Sequence, residues 1–213
     1  MEPGHANTPA RDGRILTVVR RPSESCGISS SVRDRVRPEF FDDLYSRDPD
    51  PWDFETSPYE AAKYAATVAA LAGHRFRRGL EIGCSIGVLT AQLAPHVDEL
   101  LAVDVSEAAL ERARVRNPTV RFQRCEIPEQ YPEGDFDLVV AAEVLYYLDP
   151  PALQATLDRI RGTLIAVHWR GPTERYPFTG DEIHEHLRGR FGTPTHIAWT
   201  PKYALDRFDA CNC

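Results

Sequence analysis

From residue 79 onward, short apolar runs alternate with segments of helical period. The runs predict strands at 79–83, 99–104, 119–124, 136–142 and 163–168. Helices are predicted between them at 86–95, 106–116 and 150–161, the second with Ser106 as N-cap. Such alternation implies a parallel sheet with helices on both faces. Val139-Val140-Ala141 and Leu164-Ile165-Ala166-Val167 are apolar throughout, as strands covered on both sides are. After a predicted helix at 180–189 the alternation stops. His196–Thr200 and Tyr203–Phe208 flank Pro201-Lys202 and read as an antiparallel hairpin.

Upstream, Phe40, Phe41, Leu44 and Tyr45 have helical spacing, Asp48–Trp52 is a proline-broken loop, and a helix runs from about Ser57 to Leu71 with Pro58 in its first turn. Residues 1–36 are rich in Arg, Pro, Ser and Gly and lack periodicity, which predicts a disordered tail with at most a stray strand at Ile15–Val19. Three parts follow: a tail at 1–36, a helical cap at 37–74 and an α/β core at 75–213.

Bulk properties alter this little. A chain of 213 residues is long enough to bury a core. A formal charge of −7 argues against a nucleic-acid partner and mildly favours neutral or cationic small molecules. No apolar run approaches the roughly 20 residues that span a bilayer, and the first twenty residues lack the apolar segment of a secretory signal. Five cysteines without a C-x-x-C pair read as reduced thiols, so a cytoplasmic protein without a membrane partner is expected. His184-Glu185-His186 places its histidines two apart on a helix, which gives them different faces, and Cys211-Asn212-Cys213 reads as a frayed terminus. No metal site is expected.

The chemistry concentrates at the carboxyl ends of the predicted strands, where open α/β sheets bind ligands. Glu81-Ile82-Gly83-Cys84-Ser85-Ile86-Gly87 joins strand to helix, and Asp104 ends the next strand. Gly83 and Gly87 let backbone approach a ligand. Asp104, followed by Val105, is placed to accept ribose hydroxyls. Glu81 is an acid inside a strand, which is costly unless paired, and a ligand ammonium is a natural partner. After the third strand, Glu126 can accept an adenine amine while Ile127 packs on the ring. Glu143, Tyr146 and Tyr147 follow the fourth strand, and His168, Trp169 and Arg170 the fifth, composing a candidate substrate rim. His168 is the first candidate for a general base and Glu143 the second, as a base or as an anchor for an ammonium.

These motifs resemble class I S-adenosylmethionine (SAM) dependent methyltransferases. More narrowly, they resemble the nodulation protein S family, N-methyltransferases of deacetylated chitooligosaccharides. The resemblance rests on Asp50-Pro51-Trp52, Ser57-Pro58-Tyr59-Glu60, Lys63-Tyr64, Leu80–Thr90, Leu100–Asp104, Phe136–Val139, Glu143–Leu148, Val167–Arg170 and Thr179–Glu182, over about residues 38 to 190. It implies a Rossmann-like, seven-stranded, mostly parallel sheet with an antiparallel C-terminal hairpin and an N-terminal helical lid. It places Glu81, Gly83 and Gly87 at the methionine half of SAM, Asp104 at the ribose and Glu126 at the adenine. Trp52, Tyr59 and Tyr64 fall in a lid over the cofactor, with Tyr59 expected at the cofactor and Trp52 at the substrate pocket. Ser85 departs from the wider pattern, where a third glycine is common.

The implied activity is methyl transfer to a small molecule, an amine of an amino sugar or natural product, with a hydroxyl or carboxylate as the alternative. A monomer or homodimer is expected. Gly83-Cys84-Ser85-Ile86-Gly87 also fits the G-x-S-x-G nucleophile elbow, with Asp149 and His168 in triad order. No Gly-rich oxyanion segment precedes it, so a hydrolase is the weaker reading. A nicotinamide enzyme would want the full G-x-G-x-x-G and no terminal hairpin. A non-catalytic SAM-fold protein would keep Asp104 without needing the rim.

Overall fold

A computed structural model describes residues 34–173 and 176–209. Helices α1 (Pro38–Arg47) and α2 (Pro58–Ala69) precede the sheet. The core then runs β1 (Phe76–Ile82), α3 (Val88–Leu93), β2 (Val97–Asp104), α4 (Glu107–Arg116), β3 (Arg121–Arg124), β4 (Leu138–Ala142), α5 (Pro150–Leu157), β5 (Thr163–Trp169), α6 (Gly180–Phe191), β6 (His196–Trp199) and β7 (Tyr203–Phe208). The sheet order is β3-β2-β1-β4-β5-β7-β6. The first five strands are parallel; β7 runs antiparallel to both β5 and β6. This is the Rossmann-like sheet with the antiparallel terminal hairpin. The order reverses between β1 and β4, and the crevice above their carboxyl ends is where the cleft forms.

The period-2 pattern sorts the strands' side chains into two cores. Leu80, Ile82, Val139, Ala141, Leu164 and Ala166 pack with Leu153 and Leu157 of α5 and Ile183 and Leu187 of α6. Leu138, Val140, Ile165 and Val167 face the other way, onto Tyr64 of α2 and Leu89 and Leu93 of α3. Among the described residues no helix is long and apolar enough to cross a membrane. Residues 1–33 of the expected tail, with Ile15–Val19, lie outside the described residues, as do Cys211 and Cys213. Cys84 and Cys125 are buried free thiols.

Element ends depart from the pattern where a local contact overrides it. β1 begins three residues earlier than predicted because the Asp137 carboxylate accepts the amides of Arg77 (2.9 Å) and Arg78 (2.8 Å). That use of Asp137 leaves β4 starting at Leu138. α3 starts at Val88 because Gly87 is left-handed, with φ 78°. α5 stops at Leu157, four residues short of the prediction. Gly162 must then pass hard against the Phe136 and Asp137 backbone to enter β5.

The two glycines of α6 should respond oppositely to alanine. A Cβ at Gly180 would collide with the Trp169 carbonyl oxygen, whereas a Cβ at Gly189 meets nothing within 4 Å. In urea denaturation, Gly180→Ala should lose about 1–3 kcal/mol. Gly189→Ala should gain about 0.5–1 kcal/mol from helix propensity.

Candidate functional site

The β1–α3 turn holds three left-handed residues in five: Gly83 (φ 75°), Ser85 (φ 52°) and Gly87 (φ 78°). A side chain at Gly83 would bring its Cβ 3.0 Å from that of Val144, so the absent Cβ keeps the crevice between β1 and β4 open. A Cβ at Gly87 would meet the Asn117 amide nitrogen at 2.6 Å, and that amide donates to the Gly87 carbonyl (2.9 Å). Ser85 therefore sits in the conformation that favours glycine. Its oxygen is 2.5 Å from the Tyr45 hydroxyl, and its amide donates to Asp104 Oδ2 at 2.8 Å. Those bonds compensate the strained backbone.

Three acids at or beside the carboxyl ends of adjacent strands face one cleft. Asp104 of β2 also accepts the Ser106 amide on Oδ1 (3.0 Å). Burial raises its pKa, and the backbone donors only moderate that rise. Glu81 of β1 is 1% exposed, and Thr90 of α3 donates to its Oε2 at 2.5 Å. Burial, assisted by the nearby Asp104, pushes the Glu81 pKa up to about 8 against the Thr90 hydrogen bond. Glu143 follows β4 with φ 57°. Its Oε1 accepts from Lys63 Nζ (2.6 Å), and its Oε2 from the Tyr146 hydroxyl (2.5 Å) and the Trp169 amide (3.0 Å). Lys63 is fully buried and also holds Glu60 Oε2 at 2.8 Å. Glu60 and Tyr64 join the cleft wall. Burial first, then the neighbouring carboxylates of Glu60 and Glu143, drive the Tyr64 hydroxyl pKa far above its ordinary value.

The N-terminal segment roofs the cleft with Arg35, Phe41, Tyr45, Trp52 and Phe54. It is fastened at several rims. The Val36 amide donates to the Tyr147 carbonyl (3.0 Å), Arg35 pairs with Glu126 (3.2 Å) and Glu129 (2.9 Å), and Arg124 pairs with Asp42 (3.2 Å). Trp52 is held by edge contacts to Tyr45 (5.7 Å) and packing on Phe54 (5.5 Å).

Of the residues singled out from sequence, Glu81, Gly83, Asp104, Val105, Ile127, Glu143, Trp52 and Tyr147 line the cleft. Others stand elsewhere. Gly87 caps α3 behind the turn. The Glu126 side chain points to Arg35, and Cys125 and Ile127 supply the wall there. Tyr59 packs by Tyr203 (6.3 Å) and over Lys63 Nζ (5.1 Å). Tyr146 lies behind Glu143 with no exposed surface. Trp169 contributes its backbone amide to Glu143 and covers Gly171 with its ring. Arg170 is held by Asp181 (2.6 and 2.9 Å) and the Thr200 carbonyl (2.7 Å).

His168 requires a correction. It is 0% exposed, its Nε2 accepts the Leu145 amide (3.3 Å), and its Nδ1 is 3.2 Å from His184 Nε2. A base must reach the proton it removes, and this ring does not line the cleft. The serine-hydrolase reading fails on the same geometry. Asp149 caps α5 through the Ala152 amide (2.9 Å), and Ser85 bonds to Tyr45. Sequence reading did not assign roles to Arg35, Tyr45, Glu60, Lys63 or Thr90. The i, i+3 spacing of Glu60 and Lys63 signalled an ion pair, but not one buried under a cleft.

A model of the Nodulation protein S (NodS) family matches residues 34–167. The chain is 38% identical over 103 residues to nodulation protein S of Bradyrhizobium diazoefficiens, covering 46% of this chain and 49% of that protein. It is 37% identical over 103 residues to nodulation protein S of Rhizobium tropici, covering 46% and 43%. The chain thus matches about half the length or less of these curated relatives. Its fold superposes on the crystal structure of the N-methyltransferase NodS from Bradyrhizobium japonicum WM9 in complex with S-adenosyl-L-homocysteine. The TM-score is 0.70 and the identity 26%, over 82% of this chain and 98% of that one. With the family model matched from the lid through β5, this chain belongs to the nodulation protein S family.

Proposed function

We propose that this protein is a SAM-dependent methyltransferase that N-methylates an amine of a small molecule, with an amino sugar or a natural-product amine as acceptor. The observation that carries the reading is the convergence of Glu81, Asp104 and Glu143 on one cleft beside the Gly83–Gly87 turn. Desolvated acids suit a ligand with cationic groups and ribose hydroxyls. SAM has both, and the homologous NodS crystal structure contains its demethylated product.

The residues present fit that group. Glu81, raised by burial to a pKa of about 8, meets no cation among the described residues, and an amino-acid ammonium supplies one. Asp104, fixed by the Ser85 and Ser106 amides, presents its carboxylate to a ribose. Ile127 and Cys125 form an apolar wall for an adenine. When bound, SAM supplies an activated methyl group. The protein's own task is then to position the nucleophile and exclude water. Glu143 is the carboxylate left for the acceptor. It orients an amine by accepting its N–H and takes up the proton released as the N–C bond forms. Lys63, Tyr146 and the Trp169 amide hold it in place for that.

S-adenosylhomocysteine titrated by calorimetry should bind the wild type, and Asp104→Ala should lose at least about 100-fold in affinity, as expected for two hydrogen bonds to a charged group. Absence of binding to folded wild type would sink the reading.

The same titration should be pH-dependent in a set direction. Free Glu81 is protonated below about 8 and ionises against the ligand ammonium, so binding releases a proton. Affinity should rise as pH climbs toward 8, and the measured enthalpy should vary with the buffer's ionisation enthalpy. Glu81→Gln should abolish both effects.

With a glucosamine oligomer as acceptor, Glu143→Gln should lower turnover by about 100-fold or more while leaving S-adenosylhomocysteine affinity within about threefold. An equal loss in both would remove Glu143 from the acceptor side.

A further inference from the structure

The two buried histidines left over by the mechanism form one connected device. The Leu145 amide can only donate, so the bond it makes at 3.3 Å requires His168 Nε2 to be bare. A neutral His168 then carries its proton on Nδ1, which lies 3.2 Å from His184 Nε2 and must donate to it. His184 in turn carries its proton on Nδ1 and donates to Asp206 Oδ2 at 2.9 Å. A charged His184 is excluded, because its second N–H would face the proton on His168. The counter-charge of Asp206 is Arg188, bound through Nε and Nη2 at 3.0 Å each, and the Trp199 indole N–H adds a donor at 3.2 Å. Burial raises the Asp206 pKa, but the His184 and Arg188 hydrogen bonds outweigh it and hold the carboxyl below its ordinary value.

The chain of bonds ends where it matters. Leu145 opens the short 3-10 turn Leu145–Tyr147, two residues past Glu143 with its left-handed backbone. The ring of His168 also lies against Tyr146 (5.3 Å), whose hydroxyl donates to Glu143. We propose that His168, His184 and Asp206 form a proton-ordered relay by which the terminal hairpin and α6 hold the Glu143 loop, making His168 a positioning residue rather than a base. The use of Glu143 in catalysis rests on the methyltransferase reading, while the relay itself does not.

The test is 15N NMR of histidine-labelled protein near neutral pH, which needs no ligand. Two rings should be neutral, protonated on Nδ1 and bare on Nε2, and both signals should be lost or moved in His168→Phe. Finding either ring as an imidazolium or as the Nε2–H tautomer would overturn the proposal. Amide exchange supplies the second readout. In His168→Phe the Leu145 and Trp169 amides should exchange about tenfold faster or more, the size expected from losing one buried hydrogen bond. In His168→Gln, whose amide can accept from Leu145 and donate to His184, exchange should return to within about threefold of wild type. Unchanged protection in His168→Phe, or no rescue by Gln in a folded protein, would also overturn it. S-adenosylhomocysteine failing to bind wild type would count against the methyltransferase reading alone, with the tautomers still deciding the relay.

Discussion

Withdrawing three carboxylates from water at the switch point is the constraint around which this molecule is arranged. Glu81, Asp104 and Glu143 end or follow adjacent strands of the sheet, and each needs donors in place of the water it has lost. Each finds them differently. Asp104 takes two backbone amides, which fixes the β1–α3 turn against the end of β2. Glu143 takes an ammonium, a phenol and an amide from three separate elements. Glu81 has a threonine hydroxyl and no cation partner among the described residues, so burial, with Asp104 nearby, holds its pKa near 8. The least compensated acid is therefore the one most suited to receiving a cationic ligand group.

The N-terminal segment completes the site. α1 and the loop after it lie over the cleft through Tyr45, Phe41 and Trp52, while α2 sends Lys63 underneath Glu143. Burying Lys63 without exposure is tolerable only because two carboxylates meet it. One helix thus meets Glu143 from below, and another covers the cleft from above. Ser85 ties the two: its left-handed backbone belongs to the glycine turn and its hydroxyl to Tyr45 of the roof.

The C-terminal hairpin does more than close the sheet. β7 carries Asp206 into the interior beside α6, and β5 presents His168 between that acid and the Glu143 loop. His168, one of the three rim candidates at the end of β5, is consumed in this way. Arg170 and Trp169 brace α6, the hairpin and the Glu143 carboxylate without lining the cleft.

The sequence by itself determined the alternation of strands and helices, the terminal hairpin, the glycine turn and the acids at strand ends. These follow from period, local backbone preference and chain direction, which need no knowledge of neighbours. Glu81, Asp104 and Glu143 were legible because a strand's carboxyl end fixes which rim its next residues occupy. Which rim side chains point into the cleft was decided only by tertiary packing. His168 near the end of β5 and Glu143 just past the end of β4 are neighbours in register, yet α6 and β7 surround one and leave the other facing the cavity. The three-residue spacing of Glu60 and Lys63 on α2 says nothing of their burial, which comes from α2 docking beneath the loop after β4. Burial and hydrogen-bond partnership are sums over residues distant in the chain, so local pattern could place these groups but could not assign their work.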